Sequence, residues 1–216
     1  MPTREDEYRN SARGYDFLTA RFLDPLRGRT RLLAEREKPL RVLDVCCGTG
    51  RQLAQLKGLG ALLVGLDLSP AMLKRAGALV GPDAVLCRAD ATLIPFRDRS
   101  FDLAVISFAL HEKAPGVRAV ILRETLRVLA DRGTLAAADF VVPRTPWERV
   151  KFLAVRLVER AAGGEHFVNF QEFMGRGGTE AMLARAGLEF EVLSRGVGGG
   201  AAVFQAFPWP AGLDKA

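Results

Sequence analysis

Cysteine is scarce in this chain and appears only at positions 46, 47 and 87. Cys46 and Cys47 are neighbours that cannot easily bridge each other, and no CxxC pair occurs. Neither a disulfide framework nor a zinc site is expected, and no metal is assigned. Three small buried thiols are the expectation, the usual fate of free cysteine. No apolar run is long enough to span a bilayer. The opening stretch Met1–Arg13 is polar and of mixed charge, with no apolar signal-peptide centre, so a cytoplasmic location is expected. Internal repeats and low-complexity segments are missing too. The net charge is +6, but its basic residues are scattered and no nucleic-acid recognition motif accompanies them, so no nucleic-acid partner is expected.

What is present is the balance of an ordinary globular protein, 49% hydrophobic and 26% charged over 216 residues. That length suits one α/β domain with modest additions. Residues 15–34 carry Phe17, Leu18, Phe22 and Leu26 at helical spacing, interrupted by Pro25, and predict one or two helices. From Pro39 onward strands and helices alternate. The strands are expected at 40–46, 61–67, 84–88, 101–107 and 134–140. A turn and helix are expected over 48–57, and further helices after the Ser69 cap with Pro70 in first position and at 117–129. Such alternation predicts a doubly wound, parallel sheet with helices on both faces. Beyond Pro143 the pattern changes. An amphipathic helix over 147–162 ends at Gly163-Gly164, another helix covers 179–185, and two β-runs at 188–193 and 201–207 flank a glycine-rich turn. They predict a hairpin that closes the sheet with an antiparallel strand.

The sharpest motif is Val42-Leu43-Asp44-Val45-Cys46-Cys47-Gly48-Thr49-Gly50, an apolar strand that runs into a tight turn of small residues. Ligands of open α/β sheets bind just beyond the strand carboxyl ends. A dinucleotide fingerprint would place a third glycine where Leu53 stands, and an acid ahead of the loop would repel a pyrophosphate. Asp44 suits instead a cationic group such as a methionine ammonium. Asp67, at the tip of the second strand, can accept hydrogen bonds from both ribose hydroxyls. After the third strand Asp90 can accept from an adenine amino group, the Ala91 backbone can read the ring edge, and Met72 can pack on the base. Each acid alone reads equally well as a turn or cap residue, but three at successive strand tips beside a glycine turn point to a nucleoside.

With these residues in view, the chain resembles the class I S-adenosylmethionine-dependent methyltransferases. Within them it resembles the ubiquinone/menaquinone-biosynthesis C-methyltransferases, through VLDVCCGTG (42–50), PFRDRSFDLAVISFAL (95–110), LRVLADRG (126–133) and GTEAMLARAG (178–187). The resemblance implies a Rossmann-like, mostly parallel seven-stranded sheet with an antiparallel last strand, plus helical N-terminal and lid segments. It implies S-adenosylmethionine as cofactor, contacted by Asp44, Cys46, Gly48, Thr49, Gly50, Asp67, Leu68, Met72, Asp90, Ala91 and Ser107. Cys46 stands where the superfamily usually has a glycine. The expected organisation is an N-terminal helical cap (1–36), a cofactor-binding domain (37–142 and 178–208) and a helical lid or substrate insertion (143–177).

Methyl transfer needs alignment and a dry site more than a catalytic cluster. His111, after the fourth strand, is the natural general base, or else a residue that caps and orients the next helix. Tyr15 and Asp16 resemble a Tyr-Asp pair that precedes the core of the quinone enzymes, and they close over the pocket or else Tyr15 packs against a helix. Those enzymes carry Arg-Asn where His111-Glu112 stands here. The acceptor is expected to be small and lipophilic or aromatic. The alternatives are an amine or phospholipid head group, or a catalytically silent cofactor-binding protein. His166, Phe167, Asn169, Phe170 and Phe173 line a pocket or form a packing surface. The 147–162 helix, with Arg149, Lys151, Arg156 and Arg160 among apolar residues, is a lid, an oligomer contact or a site of peripheral membrane contact.

Overall fold

The computed structural model describes residues 23–208. Tyr15 and Asp16 lie outside the described residues, as do Phe17, Leu18 and Phe22. Helix α1 occupies residues 23–37. It is followed by β1 (Arg41–Val45), α2 (Arg51–Leu56), β2 (Leu62–Asp67), α3 (Pro70–Val80), β3 (Val85–Arg88), β4 (Phe101–Ser107), α4 (Pro115–Val128) and β5 (Leu129–Phe140). Then come α5 (Pro146–Ala161), α6 (Gly164–Gly175), α7 (Gly178–Arg185), β6 (Glu189–Gly196) and β7 (Ala201–Phe207).

The seven strands form one sheet in the order β3-β2-β1-β4-β5-β7-β6. β1 to β5 pair in parallel, and β7 runs antiparallel to both its neighbours, β5 and β6. The Rossmann-like sheet read from the sequence is therefore present, including its closing hairpin. β1 and β4 are apolar almost throughout because helices cover both faces of a parallel sheet. Their side chains alternate between two cores. Leu43, Val45, Ala104 and Ile106 join the core beneath α4, α5, α6 and α7, whereas Val42, Leu103 and Val105 join the core beneath α1, α2 and α3. Among the described residues, no helix is long and apolar enough to cross a membrane.

Local sequence explains the elements that position the site. Ser69 caps α3 by accepting a 3.3 Å hydrogen bond from the Met72 amide, with Pro70 in the first turn. Gly50 starts α2 at φ 78°, and a Cβ there would sit 3.0 Å from the Ala76 Cα in α3, so only glycine fits both demands. Leu53 is fully buried, and its Cδ1 lies 2.6 Å from where a Cβ on Gly65 of β2 would be. The helix side chain thus fills the space that a strand glycine leaves open. α5 opens with a complete capping box, Thr145 and Glu148 each bonding the other's backbone amide.

Several bounds differ from expectation. The turn and helix expected over 48–57 divide at Gly50: Gly48 and Gly50 both hold positive φ, outside the helical region, and α2 begins at Arg51. β5 begins at Leu129 rather than at 134, and Asp131-Arg132-Gly133 is absorbed in a register shift against β4. α6 is a full helix where only an aromatic spacing was legible.

Candidate functional site

The strand order reverses between β1 and β4, and a crevice at the carboxyl ends of such a switch point is where open α/β sheets bind ligands. The four neighbouring strands β3, β2, β1 and β4 bring together at this edge every residue singled out in the cofactor motif. Asp44 lies in β1 and is buried; Asp67 and Ser107 end β2 and β4; Asp90 and Ala91 follow β3. Cys46, Gly48, Thr49 and Gly50 form the turn from β1 to α2. Leu68 is exposed beyond β2, and Met72 is half-buried in the first turn of α3.

Asp67 organises the edge. One carboxylate oxygen accepts from the Gly48 amide at 2.8 Å and the other from the Ser69 amide at 2.9 Å, so it ties the glycine turn to the start of α3. Burial raises its pKa, against the pull of these two amides. Asp90 accepts from both the amide and the hydroxyl of Thr92, at 2.8 Å each, through one oxygen. Asp44 is different. It is buried with no hydrogen-bond partner for Oδ2, and burial, reinforced by Asp67 and opposed by Arg27, pushes its pKa up to about 8. Ser107 Oγ is likewise buried and unpartnered. Gly48 has open space where a side chain would stand. Cys46 adopts φ 58°, a conformation glycine takes freely, and burial pushes its thiol up to about 12. Burial raises the Cys47 thiol further, which disfavours the nucleophilic thiolate at both positions.

The loop after β4 carries His111, which the structure places at 2% exposure in a polar chain closed from solvent. Its Nδ1 is 2.7 Å from Asp139 Oδ1, and its Nε2 is 3.5 Å from Glu159 Oε2. Glu159 Oε2 in turn lies 2.5 Å from Nε2 of His166, whose Nδ1 is 3.4 Å from Glu112 Oε2. Asp139 also accepts from the backbone amides of Leu110, His111 and Phe140. Burial opposes charge on His111, but Asp139 and Glu159 prevail and raise its pKa to about 10; the same contacts lower Glu159, against its burial, to about 2. These carboxylates favour the protonated imidazole, so base action requires that proton to leave first. The rings of Phe140 and Phe170 stand edge-on to it.

Arg118 of α4 holds this loop in place. Its guanidinium donates to the Leu110 and Lys113 carbonyls at 3.0 and 2.6 Å and to Glu172 of α6 at 2.8 Å, and it lies 4.8 Å from the centre of the Phe173 ring. Asn169 adds a bond to the Glu112 carbonyl. Of the aromatic set expected around 166–173, Phe170 and Phe173 are core and His166 belongs to the polar chain. A groove of about 390 Å³ lies between α5 and α6, walled by Val142, Phe152, Leu153, Phe170 and Met174 with Arg149 and Arg156 at its side.

Sequence reasoning passed over Asp139, Glu159 and Arg118. Two signals stood in the chain. Asp139 sits inside the apolar run Leu135–Val141, where an acid needs a partner. Glu159 falls on the same helical face as Phe152 and Val155, the face α5 buries.

Residues 42–133 match the family model described as a methyltransferase domain. The chain is 32% identical over 183 residues to a demethylmenaquinone methyltransferase of Thermus thermophilus, an alignment spanning 76% of this chain and 82% of that protein. It is 41% identical over 107 residues to a demethylmenaquinone methyltransferase of Beutenbergia cavernae, there covering 50% of this chain and 42% of the relative. In that match and others like it, the chain spans less than half the length of the curated relative. Among solved structures, an O-methyltransferase family protein from Burkholderia thailandensis superposes with a TM-score of 0.71 at 16% identity, over 97% of this chain and 64% of that one, a likeness of fold. With this cofactor-type edge, the matched domain and the long alignment to the Thermus protein, the chain belongs to the class I S-adenosylmethionine-dependent methyltransferases and resembles their menaquinone and ubiquinone branch.

Proposed function

We propose that this protein transfers a methyl group from S-adenosylmethionine to a small lipophilic or aromatic acceptor of the quinol type. The observation that carries the reading is the row of three carboxylates, Asp44, Asp67 and Asp90, at the carboxyl ends of the adjacent strands β1, β2 and β3 beside the switch point. The residues fit the cofactor on their own terms: Asp44 Oδ2 is a buried acceptor with no partner, poised for a cation, and the Gly48 turn leaves room for close approach. The cofactor supplies an electrophilic methyl carbon on a sulfonium. The protein's part is to hold and orient it. Asp44 meets the ammonium side, with Cys46, Gly48, Thr49 and Gly50 forming the turn around it. Asp67 accepts from the ribose, and Leu68 and Met72 flank the base, which Asp90 and the Ala91 amide read. Ser107 and the His111 loop face the reacting side, and the 143–177 segment roofs it and excludes water. Within this reading His111, held by Asp139 and Glu159, sets the shape of that loop, and it serves as a base only once deprotonated.

The apolar groove between α5 and α6 supports a lipophilic acceptor. The acids nearby give no support to a cationic amine, because His111, His166 and Lys113 already engage Asp139, Glu159 and Glu112. α5 exposes Trp147, Val150, Leu153 and Leu157 among Arg149, Lys151, Arg156 and Arg160, which supports peripheral contact with an anionic bilayer.

Titration calorimetry with S-adenosylmethionine and with NAD tests the cofactor assignment; preference for NAD rejects it. Mass spectrometry of reactions with hydroquinones, phenols and amino head groups then tests the acceptor class. Asp67→Ala is expected to weaken cofactor binding by about 1.5–3 kcal/mol, the scale for hydrogen bonds to a charged acceptor. Unchanged affinity in a folded variant would remove Asp67 from the ribose site.

A further inference from the structure

We propose that His111, Glu159 and His166 form a binding site for a divalent transition-metal ion, of the borderline softness of Zn²⁺, which staples α5 and α6 to the loop after β4. One potential ligand atom from each of the three side chains lies within 4.8 Å of the others, and two of the three residues are buried. Two imidazoles and one carboxylate are a common donor set for Zn²⁺ and for non-haem iron.

Proximity alone does not make a site, and two further observations point to an ion. The first is orientation. Both histidines turn Nε2 toward Glu159, and both turn Nδ1 toward a second carboxylate, Asp139 at 2.7 Å and Glu112 at 3.4 Å. A carboxylate behind each imidazole fixes the ring so that, once an incoming ion displaces the proton from the other nitrogen, that nitrogen's lone pair faces the ion, which is the arrangement that surrounds metal-bound histidine. Asp139 is itself fixed by three backbone amides, so the ring it orients cannot swing away. The second is His111 Nε2, a buried nitrogen that makes no hydrogen bond in this structure. Its nearest acceptor, Glu159 Oε2, stands 3.5 Å away; a buried nitrogen left without a hydrogen bond is costly, and an ion between the two removes that cost. An ion about 2.0–2.2 Å from each donor sets tetrahedral donors roughly 3.3–3.5 Å apart, which matches the 3.5 Å between His111 Nε2 and Glu159 Oε2 and widens the 2.5 Å contact of His166 Nε2 with that oxygen.

The ligands come from three elements. His111 follows β4, Glu159 lies in the last turn of α5, and His166 lies in the first turn of α6, across the Gly163-Gly164 junction. The rings of Phe140 and Phe170 shield His111, so the ion sits in a dry pocket and its effect is to fasten the roof. This inference is independent of the acceptor and of methyl transfer itself.

The test uses the full chain stripped with a chelator and titrated with Co²⁺, then Zn²⁺. We expect one equivalent of Co²⁺ with the visible d–d absorption of a low-coordinate nitrogen–oxygen site and no thiolate charge-transfer band, displacement by Zn²⁺, and a higher Tm with metal. Glu159→Gln and His166→Gln are expected to weaken binding about 100-fold or more, the upper end of what even supporting residues of metal sites cost. Cys87→Ser should leave binding unchanged. His166→Gln, at a partly exposed position, keeps the comparison available if the Glu159 variant fails to fold. Absence of saturable binding at about 100 µM metal, far above the working range of structural sites, overturns the proposal. So does a thiolate band, or binding unaltered in a folded His166→Gln protein.

Discussion

Asp44→Asn should raise the Tm of the ligand-free protein at pH 8 by about 6–12 °C while weakening S-adenosylmethionine binding about 100-fold or more. Both effects come from one buried carboxylate. In the unfolded chain it titrates near its ordinary value, about 3.9, whereas in the folded protein burial moves it to about 8. Between those values the native state holds a proton the unfolded state has lost, so stability falls as pH rises through that window. At pH 8 and above the cost of an uncompensated buried charge is fully felt, about 3 kcal/mol, which for a domain of this size corresponds to that range of Tm. Asparagine has the same shape and no charge, so its advantage should be largest at pH 8, shrink by pH 5 and vanish near pH 4. The same charge is what a cofactor ammonium would neutralise, and its loss accounts for the drop in affinity. Thermal melts across pH beside calorimetric titrations decide the matter. A variant no more stable than the parent at pH 8, or one that binds as tightly, contradicts this account.

Arg118→Ala should cost about 4 kcal/mol of stability. The side chain bonds the carbonyls of Leu110 and Lys113 and pairs with Glu172 over the Phe173 ring. Without it the Leu110 carbonyl keeps the Lys113 amide at 3.2 Å, whereas the Lys113 carbonyl left unbonded costs roughly 1–3 kcal/mol and the lost charge-assisted bond to Glu172 roughly 1–2 kcal/mol, and the lost cation–ring contact adds about 1 kcal/mol. Lysine reaches one acceptor as a point charge but not the fork of three, so Arg118→Lys should recover less than half of the loss. Urea unfolding of the three proteins measures this; a loss below about 1 kcal/mol for alanine would mean that other contacts hold the loop.

The fold was largely legible because its signals are local. The Ser69-Pro70 cap, the small-residue turn after an apolar strand, and alternation of strand and helix each announce themselves within ten residues. The cofactor-type edge was legible for the same reason, since consecutive strand tips of a parallel sheet are brought side by side by topology alone. The polar chain beneath α5 was not. His111, Asp139, Glu159 and His166 lie on four elements, and nothing in their spacing along the chain foretells that two carboxylates converge on one imidazole. A sequence shows that Asp139 breaks an apolar strand, but its partner is chosen by packing. α6 was missed because its start has no side-chain cap and its glycines argue against a helix; tertiary contacts of Phe170 and Phe173 override that weak propensity.

The interlock of Leu53 with Gly65 has a bearing on what this scaffold can become. Bulk has been moved from the strand to the helix, so the two positions are bound as a pair. Converting Leu53 to the glycine a dinucleotide binder needs would leave a hole over β2, and enlarging Gly65 first would drive a methyl group into the leucine. Either single step is penalised, and even the joint exchange must still clear Cys47 Sγ and Leu86 Cδ2, each 3.0 Å from where that methyl would stand. Passage between the two ligand repertoires therefore climbs a ridge in sequence space, raised by packing between a helix and a strand.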